Sequence, residues 1–350
     1  MNKDIIYILH EYGEPSHFLG LTYLLEKNNI PYKFYEINFF IQIKFAIKKR
    51  SFTYILKFFR DMWFLWTLPY KKRAKVILSM APYHNSLPSI RKKLKNHIPF
   101  FFISYTCWDL SMYVYDYKND NILNEWRNFM LNDVKHIFVV SEKTKKEMIK
   151  NDFAIDSKVS VVYHSYTTQV YPANEKKKEN IFITVSALFP NKGIIELLDI
   201  FSKKPQSKLI IVGKGKLSET VKEYASRYPN IVFKGYIQNQ SELFEIYKEA
   251  SFFLLNSKKT ATWEELFGMV LIESSACGLV PVAVNHSGPC EIIENGVNGI
   301  LFPEGEVERS IECCINMDGN SFSKMRKASI ENGQKYYVSK ISRRWINILD

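Results

Sequence analysis

Cysteine is scarce in this chain: the five present (Cys107, Cys277, Cys290, Cys313 and Cys314) are an odd number without C-x-x-C spacing. That excludes a disulfide framework and a common zinc site, and fits a reducing compartment such as the cytoplasm. Long apolar runs are also missing. No stretch approaches the roughly 18 consecutive apolar residues that span a bilayer, and the opening MNKDIIYILHEYG has too short an apolar core, and no cleavage site, for a signal peptide. Neither export nor membrane spanning is expected. None of the seven histidines stands at metal-ligand spacing and no D-x-D motif occurs, so neither a metal nor a cofactor is expected.

Length and positive charge are plentiful. A chain of 350 residues with 46% hydrophobic and 24% charged residues is globular in composition and exceeds what one core usually serves, so two domains are expected. Lys and Arg number 48 against 36 Asp and Glu, a formal charge of +12, which favours an anionic partner.

Most of that excess is local. Between Ile41 and Ile77 ten basic residues (Lys44, Lys48, Lys49, Arg50, Lys57, Arg60, Lys71, Lys72, Arg73, Lys75) face a single acid, Asp61. The same segment holds Phe45, Phe52, Tyr54, Phe58, Phe59, Trp63, Phe64, Trp66 and Tyr70. Rings alternating with cations resemble a segment that lies on an anionic membrane surface, where each Lys or Arg gains about 1 kcal/mol and Trp and Tyr settle at headgroup level. The alternative is a pair of amphipathic helices with the rings in the core and the lysines in water. Nucleic-acid binding is a third reading, but no recognised motif accompanies it, and a nucleic-acid partner is not expected.

Short apolar runs alternate with helical patterns along almost the whole chain, as in parallel sheets covered by helices on both faces. The first half offers six strands: Ile5 to Leu9, Tyr32 to Ile37, Val76 to Met80, Phe100 to Ser104, Ile137 to Val140 and Val159 to Tyr163. The polar stretch HSYTTQVYPANEKKKEN then reads as a linker. Six more runs follow (IFITVSA, KLIIVG, NIVFKG, FFLLN, VPVAV, GILF), with helices beginning near Lys192, Lys216, Ser241, Leu266, Pro289 and Glu306. This gives an α/β chain with residues 1–165 as one doubly wound domain, 166–180 as linker and 181–337 as a second domain. A last helix at 338–350 either stays there or crosses back to the first. Ligands of such folds collect where strand ends meet helix starts.

The most informative segment is ELFGMVLIESSACG, in which Glu265 and Glu273 stand eight residues apart. Phe267, Gly268 and Met269 fall at a helix start, where free amides and the dipole favour an anion such as a diphosphate. Glu273 lies a little over two turns deeper. The plain alternative is an amphipathic helix with an acidic N-terminus.

Continued through LVPVAV and GPCEIIENGVNGILF, this segment resembles the E-x7-E signature of retaining glycosyltransferases of family 4, and VSALFPNKGIIELL, KLIIVGKGKLSETV and NIVFKGYI extend the likeness upstream. The resemblance implies the GT-B fold, two Rossmann-like doubly wound domains facing a central cleft. It also implies transfer of a hexose-type sugar from a nucleotide-diphosphate sugar, a UDP-sugar before a GDP-sugar, with retention of configuration. Glu265 inherits contact with the transferred sugar and Glu273 with the ribose. Lys192 matches the lysine that clamps the donor diphosphate, but Ala187 stands where an arginine is usual. Either Lys192 and the helix start suffice, or a cation such as Lys214 compensates. Gly213 with Lys214, and Tyr236 with Ile237, fall near the nucleotide by family position.

The first domain resembles the family less. Gly13 sits where a glycine-rich turn is usual, and Asp109 survives from a histidine–aspartate pair whose histidine is replaced by Trp108. His84, in a loop after the third strand, is a further candidate toward the acceptor. With the basic segment, these features lead to the expectation of a peripheral enzyme at the cytoplasmic membrane face, acting on a lipid-linked or lipopolysaccharide- or capsule-type glycan. A nucleotide-sugar epimerase of the same fold, or a catalytically silent basic binding protein, is the alternative.

Overall fold

Strands that are apolar along their whole length can be buried on both faces only in a parallel sheet flanked by helices, and the chain builds two. The structure is a computed structural model that describes residues 5–11, 15–50, 52–104, 108–110, 119–172, 177–260, 263–265 and 267–350. It divides into two units, Met1–His164 with Val338–Asp350, and Ser165–Tyr337.

In the first unit, β1 (Ile6–His10), β2 (Tyr32–Glu36), β3 (Lys75–Ser79), β4 (Ile98–Ile103), β5 (Ile137–Val139) and β6 (Val159–Val161) pair in parallel in the order β2-β1-β3-β4-β5-β6. Alternation along β4 feeds two cores: Phe100 and Phe102 pack with Phe18, Phe138 and Trp345, while Phe101 and Ile103 pack with Trp126 and Phe129. Helices α1 (Leu19–Lys27), α2 (Phe39–Lys49), α3 (Phe52–Thr67) and α4 (Leu87–Leu94) make the early crossovers.

In the second unit, β7 (Ile181–Val185), β8 (Lys208–Val212), β9 (Ile231–Gly235), β10 (Phe252–Leu255), β11 (Val280–Val284) and β12 (Ile300–Phe302) run parallel in the order β12-β11-β10-β7-β8-β9. Strand order reverses at β1/β3 in one sheet and at β7/β10 in the other. At such a point the connections leave on opposite sides and open a crevice beyond the carboxyl ends of the strands.

The C-terminal segment is a short helix, Val338–Ile341, followed by tighter turns over Ser342–Ile348 rather than one continuous helix. It belongs to the first unit because Trp345 is buried there, its ring 4.6 Å from that of Phe138 and 5.2 Å from that of Phe102. A Cβ on Gly20 would come within 3.0 Å of the Trp345 indole nitrogen, so glycine lets α1 approach it. Lys75 Nζ ties the chain end down by donating to the carbonyls of Ile348 and Leu349 at 2.8 and 2.7 Å.

The stretch that reads as a linker starts inside the second unit. Tyr166 is buried, bridges to Tyr337 and packs its ring against Phe244. Polar composition hides this because one buried tyrosine and one threonine carry the packing.

Candidate active site

The carboxyl ends of β7, β8 and β9 carry three loops stitched together by backbone. Ser186 N–H donates to Val212 O, Leu188 N–H to Lys214 O, and Gly213 N–H to Gly235 O. The approach is so close that a Cβ on Gly213 would lie 1.9 Å from Ser186 O, and one on Gly215 2.4 Å from Leu188 O. Only glycine permits it, and Gly213 also has φ +148°. On the rim, the exposed Lys214 places Nζ 3.6 Å from the centroid of the Tyr236 ring. Tyr236 is 54% exposed and therefore no core residue. Ile237 beside it is half-buried, and Ala187 is exposed.

Lys192 ends a short turn, Pro190–Lys192, ahead of the helix Ile194–Ser202. It is not a solvated lysine at a helix start: its side chain is 18% exposed and Nζ lies 2.7 Å from Glu265 Oε2. Ser257 Oγ donates to the same oxygen at 3.1 Å, and the Trp263 ring centroid lies 4.2 Å from the ammonium. Asn256, buried at the end of β10, donates to Gly193 O and Glu196 Oε2 at 3.2 and 3.0 Å, fixing the turn that presents Lys192. The neighbouring acid faces away: Glu264 accepts from the Ser287 backbone N–H at 2.9 Å and from its hydroxyl. Alternate residues of one loop thus serve structure and site.

Gly268 (φ +89°) caps the helix Met269–Ala276 without a side-chain hydrogen bond, leaving the first turn to backbone amides. Phe267 contributes a buried ring packed on Tyr336, 5.9 Å away, so only its backbone faces the loop chemistry, and Met269 is half-buried. Glu273 is buried one turn on. Desolvation pushes its carboxyl up to about 7, against the opposing pull of Gln240 and Tyr247. Gln240 Nε2 donates to Glu273 Oε1 at 3.0 Å, and Thr168 Oγ1 donates to Gln240 Oε1 at 2.7 Å, which sets the direction of the amide. The Tyr247 hydroxyl lies beside the carboxylate without completing a hydrogen bond of good geometry.

Thr168, Gln240, Asn256, Ser257 and Trp263 escaped sequence reading. Only FFLLNS, a polar pair closing an apolar strand, offered a signal, since loops after parallel strands carry function.

In the first unit, a cavity of about 550 Å3 lies at the β1/β3 switch point, lined by Glu11, Phe39, Leu65, Met80 and His84 among others. Glu11, buried, accepts the Ala81 N–H at 2.6 Å and lies 4.0 Å from His84 Nε2, while His84 Nδ1 pairs with Ser86 Oγ at 2.7 Å. Glu11 was also missed. Asp109 is exposed beside the buried Trp108 and is absent from that lining. Gly13 lies outside the described residues.

Residues 167–336 match the family described as glycosyl transferases group 1. The phosphatidylinositol N-acetylglucosaminyltransferase gpi3 subunit of Schizosaccharomyces pombe is 22% identical over 57% of this chain and 45% of its own length. The lipopolysaccharide 1,6-galactosyltransferase of Escherichia coli K12 is 29% identical over 52% of this chain and 54% of its own. This chain spans about half the length of the curated relatives it matches. Among solved structures, HepE from Anabaena in complex with UDP is 17% identical, covers 98% of this chain and 99% of its own, and has a TM-score of 0.68; it has also been solved with UDP-glucose. That likeness is one of fold, two Rossmann-like units each built on a six-stranded parallel sheet. The glutamates, the lysine and the glycine-stitched loops all lie within the matched span, so it is through that unit that the chain is similar to the glycosyl transferases group 1 family, on the GT-B fold.

Proposed function

We propose that this protein is a retaining glycosyltransferase that moves a hexose-type sugar from a UDP-sugar to a glycan acceptor. The reading rests on one observation: Lys192 and Glu265 meet at 2.7 Å at the switch point of the second unit, one loop away from the buried Glu273. The likeness to an enzyme named for lipopolysaccharide galactosylation supports a glycan acceptor, and the UDP held by HepE supports the donor.

In glycosyl transfer, negative charge grows on the departing phosphate, and fixed donors aimed at it lower the barrier. Lys192 and the amides of the Gly268 turn supply them, and Lys214 is the next cation on the rim in place of the arginine absent at Ala187. Glu265 orients the sugar hydroxyls and Glu273 accepts from the ribose. Attack comes from the face the nucleotide leaves, the phosphate oxygen takes the acceptor proton, and no protein nucleophile is used.

The acceptor is lipid-linked, of lipopolysaccharide or capsule type, and the enzyme works peripherally at the cytoplasmic face of an anionic membrane. The basic, aromatic segment 41–77 supports this half.

A melting-temperature screen of UDP-, GDP- and ADP-sugars identifies the donor, since a ligand held only by the native state raises the transition. UDP-sugars should raise it and support transfer that Glu265→Ala abolishes. Transfer retained in that variant refutes the assignment, and binding without transfer or hydrolysis leaves a silent binding protein.

A further inference from the structure

Helix α3 carries two apolar faces, and among the described residues only one is packed against its own unit. Toward the sheet, Phe64 stacks on Tyr35 with ring centroids 3.5 Å apart, and Asp61, buried, accepts from the Glu36 N–H and from Gln42 Nε2. The rings of this segment therefore split: Phe64 enters the core, while others do not. Phe52, Ile55, Leu56, Phe59, Trp63 and Trp66 recur at helical spacing along the opposite face and are 68, 40, 55, 55, 64 and 60% exposed. On α2, Ile43 and Ile47 are exposed as well. An apolar stripe of this extent on a soluble surface marks an interaction site.

The charges say what covers it. Mid-helix cations are paired with acids, Lys57 with Glu36 and Arg60 with Asp61, each at 2.6 Å. Further exposed cations lie toward the two ends of the stripe, Lys48 and Arg50 at the α2–α3 turn and Lys72 with Arg73 beyond the end of α3, with Lys44 midway along α2. An in-plane interfacial helix has this form, with rings at the acyl boundary and cations at headgroup level. A protein partner would need acids at both ends of a groove. A bilayer supplies anionic groups everywhere around an apolar interior.

We propose that the outer face of the α2–α3 hairpin is the seat of this protein on an anionic lipid surface, with α3 lying in the membrane plane and Phe59, Trp63 and Trp66 inserted. This deepens the membrane half of the reading above and is independent of donor chemistry. Phe39 and Leu65 of the same two helices line the cavity that holds Glu11 and His84, so the seat would bring a lipid-borne headgroup to that cavity.

The test is co-sedimentation of the full chain with vesicles of phosphatidylcholine, with and without one third phosphatidylglycerol. Binding should require the anionic lipid, weaken with salt, and fall by about ten-fold or more in Phe59→Glu/Trp63→Glu. In Trp63→Phe/Trp66→Phe the lipid-induced blue shift of tryptophan emission should be lost, since Trp108, Trp126 and Trp345 are buried and the half-buried Trp263 lies in the second unit beside Lys192. The substituted side chains are exposed, so melting temperature and its shift by UDP-sugars should be unchanged. Indifference to lipid charge, binding that survives Phe59→Glu/Trp63→Glu, or a lipid-free dimer abolished by that variant would each overturn the proposal. A UDP-sugar shift that persists through any of these leaves the donor reading standing, and lipid binding without such a shift separates the two in the other direction.

Discussion

Lys192 and Glu265, 73 residues apart in the chain, meet at 2.7 Å, with Ser257 and Trp263 completing the enclosure. On the proposed reading, the carboxylate holds the ammonium ready for the departing phosphate. Glu265→Gln should lower turnover roughly 100-fold or more, with a smaller effect on UDP binding. Lys192→Ala should act on the same step, and the double variant should lose much less than the sum because the residues share one interaction. Steady-state kinetics on the three variants, with circular dichroism to verify the fold, checks this.

Glu273 gives a pH signature. Burial raises its carboxyl to about 7 in the folded chain, so the folded state holds a proton that the unfolded state has released. Its contribution to stability is complete below the ordinary carboxylate range, falls as pH rises, and is gone above about 7; the span is on the order of 3 kcal/mol. Glu273→Gln should flatten that slope in urea titrations between acid and neutral pH. If the ionised carboxylate accepts from ribose, UDP affinity should rise through the same window in the wild type and not in the variant.

Gly213 tolerates no side chain, because a Cβ would sit 1.9 Å from Ser186 O at a φ of +148°. Gly213→Ala should cost roughly 2–3 kcal/mol and weaken UDP binding by parting the loops after β7 and β8. Chemical denaturation and calorimetric titration measure the two effects.

The exposed ring of Tyr236 lies under Lys214 at 3.6 Å. Tyr236→Ala should leave the melting temperature near the wild-type value and reduce UDP affinity about five-fold, the loss of one stacking or cation–π contact. Tyr236→Phe should retain most of the affinity, since the ring face and not the hydroxyl is used.

Trp345 fastens the C-terminal segment to the sheet of the first unit. Trp345→Ala should destabilise that unit by about 3–5 kcal/mol, with UDP binding to the folded protein unchanged. Differential scanning calorimetry with and without UDP separates these outcomes.

Much of this was legible in the chain itself. Most of the twelve strands among the described residues follow from short apolar runs, because in a parallel sheet both faces are buried and no alternation is required, while the edge strand β2 (YKFYE) carries Lys33 and Glu36. Glu265, Glu273, Lys192 and Gly213 stood out through the resemblance to a known family, and Gly268 also through its place at a helix start. Gly268 and Gly213 do adopt the positive φ that only glycine accepts readily.

Tertiary packing decided the rest. Nothing local distinguishes Thr168 and Gln240 from solvated polar residues, yet together they aim a hydrogen bond at Glu273, and Thr168 lies in a stretch whose composition reads as linker. The rings between residues 41 and 77 could have filled a core or faced water, since hydrophobicity does not say on which side of a helix the sheet will lie. That side was set by Asp61 and Phe64, which anchor one face of α3 and leave the other exposed among the described residues. Composition fixes how much apolar surface a chain carries; which part stays uncovered depends on contacts between elements distant in sequence, and those exist only once the sheet has formed.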